Sequence, residues 1–131
     1  DATLREIAGM DDMPFVCWTW GAWPEGVEYP IEHASDHGGE DETSRMLWIR
    51  PDLVRQDKLT DNPIGQLRIP KLSKANFVRP WHLYVPESAG GETRASSSEK
   101  GRTILETTSA TLSDLLVELS ATPWDERFPY V

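Results

Sequence analysis

Residues 102–120, RTILETTSATLSDLLVELS, carry two hydrophobic periods in one stretch. Arg102 to Thr108 is rich in β-branched residues and reads as a strand. Leu112, Leu115, Leu116 and Leu119 then recur at i, i+3, i+4 and i+7, the spacing of an amphipathic helix. Thr111-Leu-Ser-Asp114 is a capping motif that opens such a helix, and Pro123 ends it. The expected helix therefore spans about 112–121.

Working outward, Trp81-His-Leu-Tyr-Val85 lies between Pro80 and Pro86 and also reads as a strand. A hairpin of 81–86 with 102–108, crossed by the following helix, is the start of a β-grasp-like layout. Further strands are expected at Phe15–Trp20, Arg45–Arg50 and Gly65–Ile69. Pro51, Pro63, Pro70, Pro80 and Pro86 forbid a long helix between them and keep the strands short. At the other end, Thr3-Leu-Arg-Glu6 is a capping box for a short N-terminal helix over about 4–9, stopped at Gly9. The expected fold class is α+β: a small, mostly antiparallel sheet of Pro-interrupted strands with these two helices. It forms a single domain over 1–131, with a long acidic loop at 24–44 and a flexible loop at 87–101.

The chain has 131 residues, 13 Lys and Arg against 22 Asp and Glu, and a formal charge of −9. Leu, Ile, Val and Phe are scarce, about a fifth of the residues, and six Trp offset the shortage by burying large apolar areas. The charge is uneven. Residues 6–44 contain ten acids and no base, whereas 45–82 carry a net positive charge. The overall acidity argues against indiscriminate nucleic-acid binding. No apolar run is long enough to cross a bilayer as a helix. One cysteine, Cys17, excludes an internal disulfide framework and favours a reducing compartment or organelle interior. The first residue, Asp1, reads as the start of a processed, truncated or excised chain.

The chemistry-bearing patterns are few. His33-x-x-x-His37 would place two imidazoles on one face of a helical turn, with Asp36, Glu40 or Glu42 as a possible oxygen donor to zinc or another divalent metal. Two histidines are half of a closed site, and a surface turn explains the spacing equally well. Cys17 between Val16 and Trp18 reads as a buried, inert thiol. No Gly-x-Ser-x-Gly turn and no phosphate-binding glycine loop is present.

The tryptophans are the distinctive feature. Trp18, Trp20 and Trp23 would form a flat platform if exposed, suited to sugar rings or to a protein partner. Trp48, Arg50, Phe77, Arg79 and Trp81 interleave cations with aromatics, as a single-strand nucleic-acid surface does but without a dense basic cluster, and Trp and Arg are equally the usual anchors of a protein interface. Most tryptophans in a chain with few aliphatics serve the core. Taken together, thin aliphatic content, draped Pro-rich segments and segregated charge lead to a non-catalytic interaction protein. On that reading it is an accessory subunit or binding module of a larger protein assembly, with no cofactor. The alternatives are a carbohydrate-binding module on the Trp platform and a small metal-dependent hydrolase centred on His33 and His37.

Overall fold

A computed structural model describes residues 2–9, 15–17, 19, 22–33 and 37–131. In chain order the elements are helix α1 (Ala2–Ala8), helix α2 (Glu40–Ile49), strand β1 (Asp61–Asn62), the single-turn helix α3 (Trp81–Tyr84), strand β2 (Gly91–Glu92) and helix α4 (Ser98–Ala121). Tight 3₁₀ turns occupy Pro51–Leu53, Gln56–Lys58 and Pro70–Lys74. The fold is mixed α+β. Among the described residues the sheet consists of β1 and β2, antiparallel, with Asp61 opposite Glu92 and Asn62 opposite Gly91. The chain divides into two compact units, Asp1–Glu25 with Thr108–Val131, and Gly26–Thr107.

In the first unit, α1 ends where the sequence places the stop: the Gly9 N–H donates to the carbonyls of Arg5 and Glu6. Phe15 makes edge contacts with Trp124 and Phe128, and the last two stack at 4.4 Å between centroids. Phe15–Cys17 and Thr19 form no strand, and the rest of the segment Phe15–Trp20 lies outside the described residues. Cys17 is exposed, which corrects its reading as a buried thiol.

The second unit is organised by α2 and the first turns of α4. The strand expected at Arg45–Arg50 is the second half of α2. Glu40, Ser44 and Leu47 form its buried stripe at i, i+4 and i+7. Two of those three residues are polar, so a search for apolar periodicity does not register the helix. Its first turn is acidic (Glu40, Asp41, Glu42), which complements the positive end of the helix dipole.

The strand expected at 102–108 is also helical, because α4 begins at Ser98 rather than near Leu112. Ser97 caps it, its Oγ accepting the Lys100 N–H at 3.2 Å. Gly101 and Ile104 are the buried residues of α4, and Ile104 is fully enclosed. Burying an isoleucine is worth roughly 2 kcal/mol, against a helix-propensity cost below about 0.7 kcal/mol for a β-branched residue. Tertiary burial therefore overrides the local preference. Gly101 is required by close approach: a Cβ there would lie 1.9 Å from the Ser44 carbonyl oxygen of α2.

Trp81–Val85 is not a strand either. The Pro80 carbonyl accepts from the Leu83 and Tyr84 N–H groups, closing one helical turn, and Val85 beyond it is buried. With both partner segments helical, the 81–86/102–108 hairpin does not form and the β-grasp-like layout with it. Gly65–Ile69 forms no ladder: the Gly65 N–H donates to the Tyr84 carbonyl, and Pro70 turns the chain away.

Candidate functional site

The acidic first turn of α2 holds the loop that precedes it. Each of Glu40, Asp41, Glu42 and Thr43 grips a different point. Asp41 accepts from the Tyr29 hydroxyl at 2.6 Å and from Arg45, which also donates to the Tyr29 oxygen. Burial, then the Asp41 hydrogen bond, raises the Tyr29 pKa above its ordinary value. Glu40, fully buried, accepts the Glu32 N–H at Oε1 (3.2 Å) and the His33 N–H at Oε2 (2.8 Å). Glu42 Oε2 accepts the Gly38 N–H, and the Thr43 hydroxyl donates to the Gly38 carbonyl at 2.9 Å. The segment 32–38 is thus clamped at both ends by side chains of α2.

A buried carboxylate needs a partner, and Glu40 has one in α4. Lys100 Nζ donates to Glu40 Oε1 (2.6 Å), Glu32 Oε1 (2.6 Å) and the Ala95 carbonyl (2.9 Å), which uses all three ammonium protons. Burial pushes the Glu40 carboxyl up, but the Lys100 hydrogen bond and the Glu32 and His33 amides outweigh it, so its pKa sits below the ordinary value. Hydrogen bonds to Glu32 and Glu40 raise that of Lys100.

His37 emerges from the far end of this clamp. Its carbonyl accepts the Gly90 N–H at 2.7 Å in an isolated antiparallel bridge, which fixes its backbone. Its ring meets Trp81 edge to face at 5.1 Å between centroids, and its Nδ1 lies 3.9 Å from Glu42 Oε2. Both members of that pair are about half exposed, so substrate-sized molecules can reach them. Trp81 in turn contacts Tyr84, over whose ring the Arg79 guanidinium lies at 4.5 Å. Gly38, Glu42 and Thr43 also line an open cleft of about 360 Å³, with Arg55, Lys58 and Asn62 among its other residues. That volume suits a small molecule.

The structure sorts the sequence candidates. It brings together His37 and Trp81, which the sequence put in separate groups, and places Glu42, one of the carboxylates considered with the histidines, beside His37. His33 contributes its backbone N–H to Glu40, and residues 34–36 of the expected i, i+4 turn lie outside the described residues. Asp36, Trp18 and Trp20 lie outside the described residues. Trp23 is partly buried in the first unit, Trp48 is exposed on α2, and Arg50 is engaged by Asp52 at 2.7–2.8 Å. Arg79 stacks on Tyr84 and Phe77. Lys100 was missed, because its role depends on a carboxylate sixty residues away.

An imidazole set between a carboxylate and an indole, beside a small-molecule cleft, is an arrangement suited to proton transfer in hydrolysis. Residues 2–116 match the family described as Creatininase, creatinine amidohydrolase. The chain belongs to the creatininase family.

Similar solved structures include a protein provisionally assigned as a creatinine amidohydrolase from Bacteroides fragilis NCTC 9343 (27% identity, TM-score 0.65, 73% of this chain and 39% of that one). They also include a creatininase variant complexed with creatine (30% identity, TM-score 0.53, 66% and 32%) and a manganese creatininase (29% identity, TM-score 0.53, 66% and 32%). The chain thus spans 32–39% of the length of these structures. No curated protein matches it.

These findings overturn the expectation of a non-catalytic accessory subunit or binding module working through a protein assembly. The family is one of amidohydrolases, enzymes that act on small substrates, and this displaces the carbohydrate-module alternative as well. The expectation of no cofactor is overturned too, since the similar structures include manganese and Zn–Zn forms of creatininase. Among the described residues, however, no three His, Cys, Asp or Glu side chains are grouped to hold a metal ion. His37 and Glu42 offer two donors, so the described residues do not complete such a site. No helix among them is long and apolar enough to cross a membrane.

Proposed function

We propose that this chain carries part of the active site of an amidohydrolase that cleaves a C–N bond in a small cyclic or linear amide. Creatinine, the substrate that its relatives' name states, is the first candidate. The observation that carries the reading is the His37–Glu42 pair, 3.9 Å apart beside the 360 Å³ cleft, in a chain of this family.

Amide hydrolysis needs a group that takes a proton from the attacking water and returns one to the leaving nitrogen. The His37 imidazole fills that role. Glu42 faces its Nδ1 and orients the ring. As water oxygen bonds to the carbonyl carbon, its proton passes to the imidazole. When the C–N bond breaks, the imidazole gives a proton to the departing nitrogen. The present 3.9 Å separation shortens once a substrate excludes water from the pair. Trp81 packs edge to face on His37 and limits its ring rotation.

The test is direct. The full chain is incubated with creatinine and with a panel of cyclic and linear amides, with and without added Mn²⁺ or Zn²⁺, and ring opening or cleavage is followed by NMR. Turnover that disappears in His37→Ala supports the reading. Turnover undiminished in His37→Ala, or none on any amide with either metal, overturns it.

A further inference from the structure

We infer that Arg55 and Lys58 form a carboxylate-binding subsite in the cleft beside His37, so that the amides this chain takes carry a carboxylate. The amide half of that statement rests on the proposed function, whereas the carboxylate half stands on the cleft alone.

The two cations belong to one turn. Arg55 stands at the start of the 3₁₀ turn Gln56–Lys58, and the Lys58 N–H donates to its carbonyl at 2.9 Å. Side chains three residues apart in such a turn lie along one edge, and both of these line the cleft. Neither is well neutralised there. Arg45, Arg50 and Arg94 of the same unit each hold a carboxylate, on Asp41, Asp52 and Glu92. Among the described residues the exposed Arg55 guanidinium has no such partner. Lys58 meets Asp57 at 3.7 Å, but their side chains are 67% and 74% exposed, and water competes for so loose a pair. Two neighbouring cations repel each other, and an anion set between them relieves that repulsion.

The rest of the lining decides which anion fits. Its acids are Glu42 and Glu87. Glu42 is already engaged by the Gly38 N–H and faces His37, so the two cations stand against Glu87 alone. An excess of one positive charge matches a monoanion, and a phosphate dianion brings one charge too many. A carboxylate also fits the planar fork of a guanidinium through two parallel hydrogen bonds. Val54 and Leu59, both half-buried, flank the cations and give the carbon skeleton of a ligand an apolar wall. The same cleft is lined by Gly38 and Glu42, the neighbours of His37, so a ligand anchored on Arg55 and Lys58 occupies the space that borders the proton-moving pair. Creatinine carries no carboxylate, and this subsite therefore selects a different amide.

The experiment uses the full chain and two pairs of amides that differ by one carboxylate: succinamate with butanamide, and pyroglutamate with 2-pyrrolidinone. Binding is followed by NMR titration at the Arg55 Nε–H and the backbone N–H groups of residues 55–59, with inorganic phosphate as a further probe. Succinamate should move these signals saturably and bind at least about tenfold more tightly than butanamide. Arg55→Gln should weaken succinamate by about tenfold and Lys58→Gln by about threefold, because the guanidinium alone offers a fork. Lys71→Gln, on a separate turn outside the cleft, should leave it unchanged. In turnover with Mn²⁺ or Zn²⁺ added, kcat/KM for succinamate should exceed that for butanamide by about tenfold or more. Arg55→Gln should close that gap through the succinamate value, and the cyclic pair should show the same order.

Equal binding of succinamate and butanamide overturns the inference, and so does a succinamate affinity undiminished in both Arg55→Gln and Lys58→Gln. Phosphate held more tightly than succinamate at the same groups overturns the carboxylate assignment. Equal turnover of the paired amides by an activity that needs His37 also overturns it. If the chain hydrolyses no amide, the proposed function fails, while the titrations still decide separately whether Arg55 and Lys58 hold a carboxylate.

Discussion

The His37 imidazole meets the Trp81 indole edge to face at 5.1 Å, with Glu42 on its Nδ1 side. Trp81 is delivered by a single helical turn after Pro80, and His37 by a loop bridged to Gly90. Neither residue lies on a long regular element. The precision of their meeting depends on the clamps behind them, and the consequences can be measured.

Trp81→Ala should lower amide hydrolysis by tenfold or more, at a cost of about 1 kcal/mol in stability, the usual worth of an aromatic pair at a half-exposed site. Trp81→Phe keeps an aromatic edge and should retain most of the activity. Steady-state kinetics beside urea unfolding separates the two effects. Equal activity in the Ala and Phe variants would contradict the role given to the ring.

Gly101→Ala should destabilise the chain by about 2 kcal/mol or more, because its methyl group must displace the Ser44 backbone rather than a mobile side-chain tip. Urea denaturation followed by far-UV circular dichroism measures this. Gly26→Ala has space at its Cβ but a φ of +76°, and should cost only about 1 kcal/mol from backbone strain. A larger loss at Gly26 than at Gly101 would refute the helix-contact argument.

Stability should fall at both extremes of pH through the Glu40–Lys100 pair. Glu40 has a folded pKa below its unfolded value, so its contribution is complete above the ordinary carboxylate range and is lost as pH falls through the folded value. Lys100 has a folded pKa above its unfolded value, so its contribution is complete below the ordinary lysine range and is lost as pH rises through the folded value. Glu40→Gln should flatten the acid limb of a plot of unfolding free energy against pH. An acid limb of unchanged slope in that variant would count against the pair.

His33→Ala should leave activity and metal retention unchanged, since only its backbone N–H is engaged by Glu40. His37→Ala should abolish activity. If the chain hydrolyses an amide as proposed, chelator treatment should silence that activity and added Mn²⁺ or Zn²⁺ should restore it, the similar structures including manganese and Zn–Zn creatininases. Assays paired with elemental analysis decide the matter, and a His33→Ala protein that loses its metal would favour a His33–His37 pair as ligands instead.

Several features were legible in the residues alone. Gly9 ends α1 as read, and the leucine spacing at 112–119 lies within a true helix. The α+β class was also legible. The errors share one cause. Arg45–Arg50, Trp81–Val85 and Arg102–Thr108 are β-branched or aromatic, and local propensity makes strands of them. In the folded chain Leu47 and Ile104 are buried from helices α2 and α4, and Val85 is buried just past the helical turn 81–84.

The acidic run at 40–42 is the clearest division between the two levels. By itself the sequence determined that three successive acids precede Thr43 and that a lysine stands at 100, so charge balance was available to the chain. A run of acids reads as a solvated face, because nothing local says otherwise. Only the tertiary structure decided that Glu40 turns inward to accept two loop amides and meet Lys100, and that Glu42 turns to His37. The reason is physical: a hydrogen bond or ion pair between distant residues has no sequence period. It exists only after helix contact at Gly101 has brought the two donors and acceptors within reach.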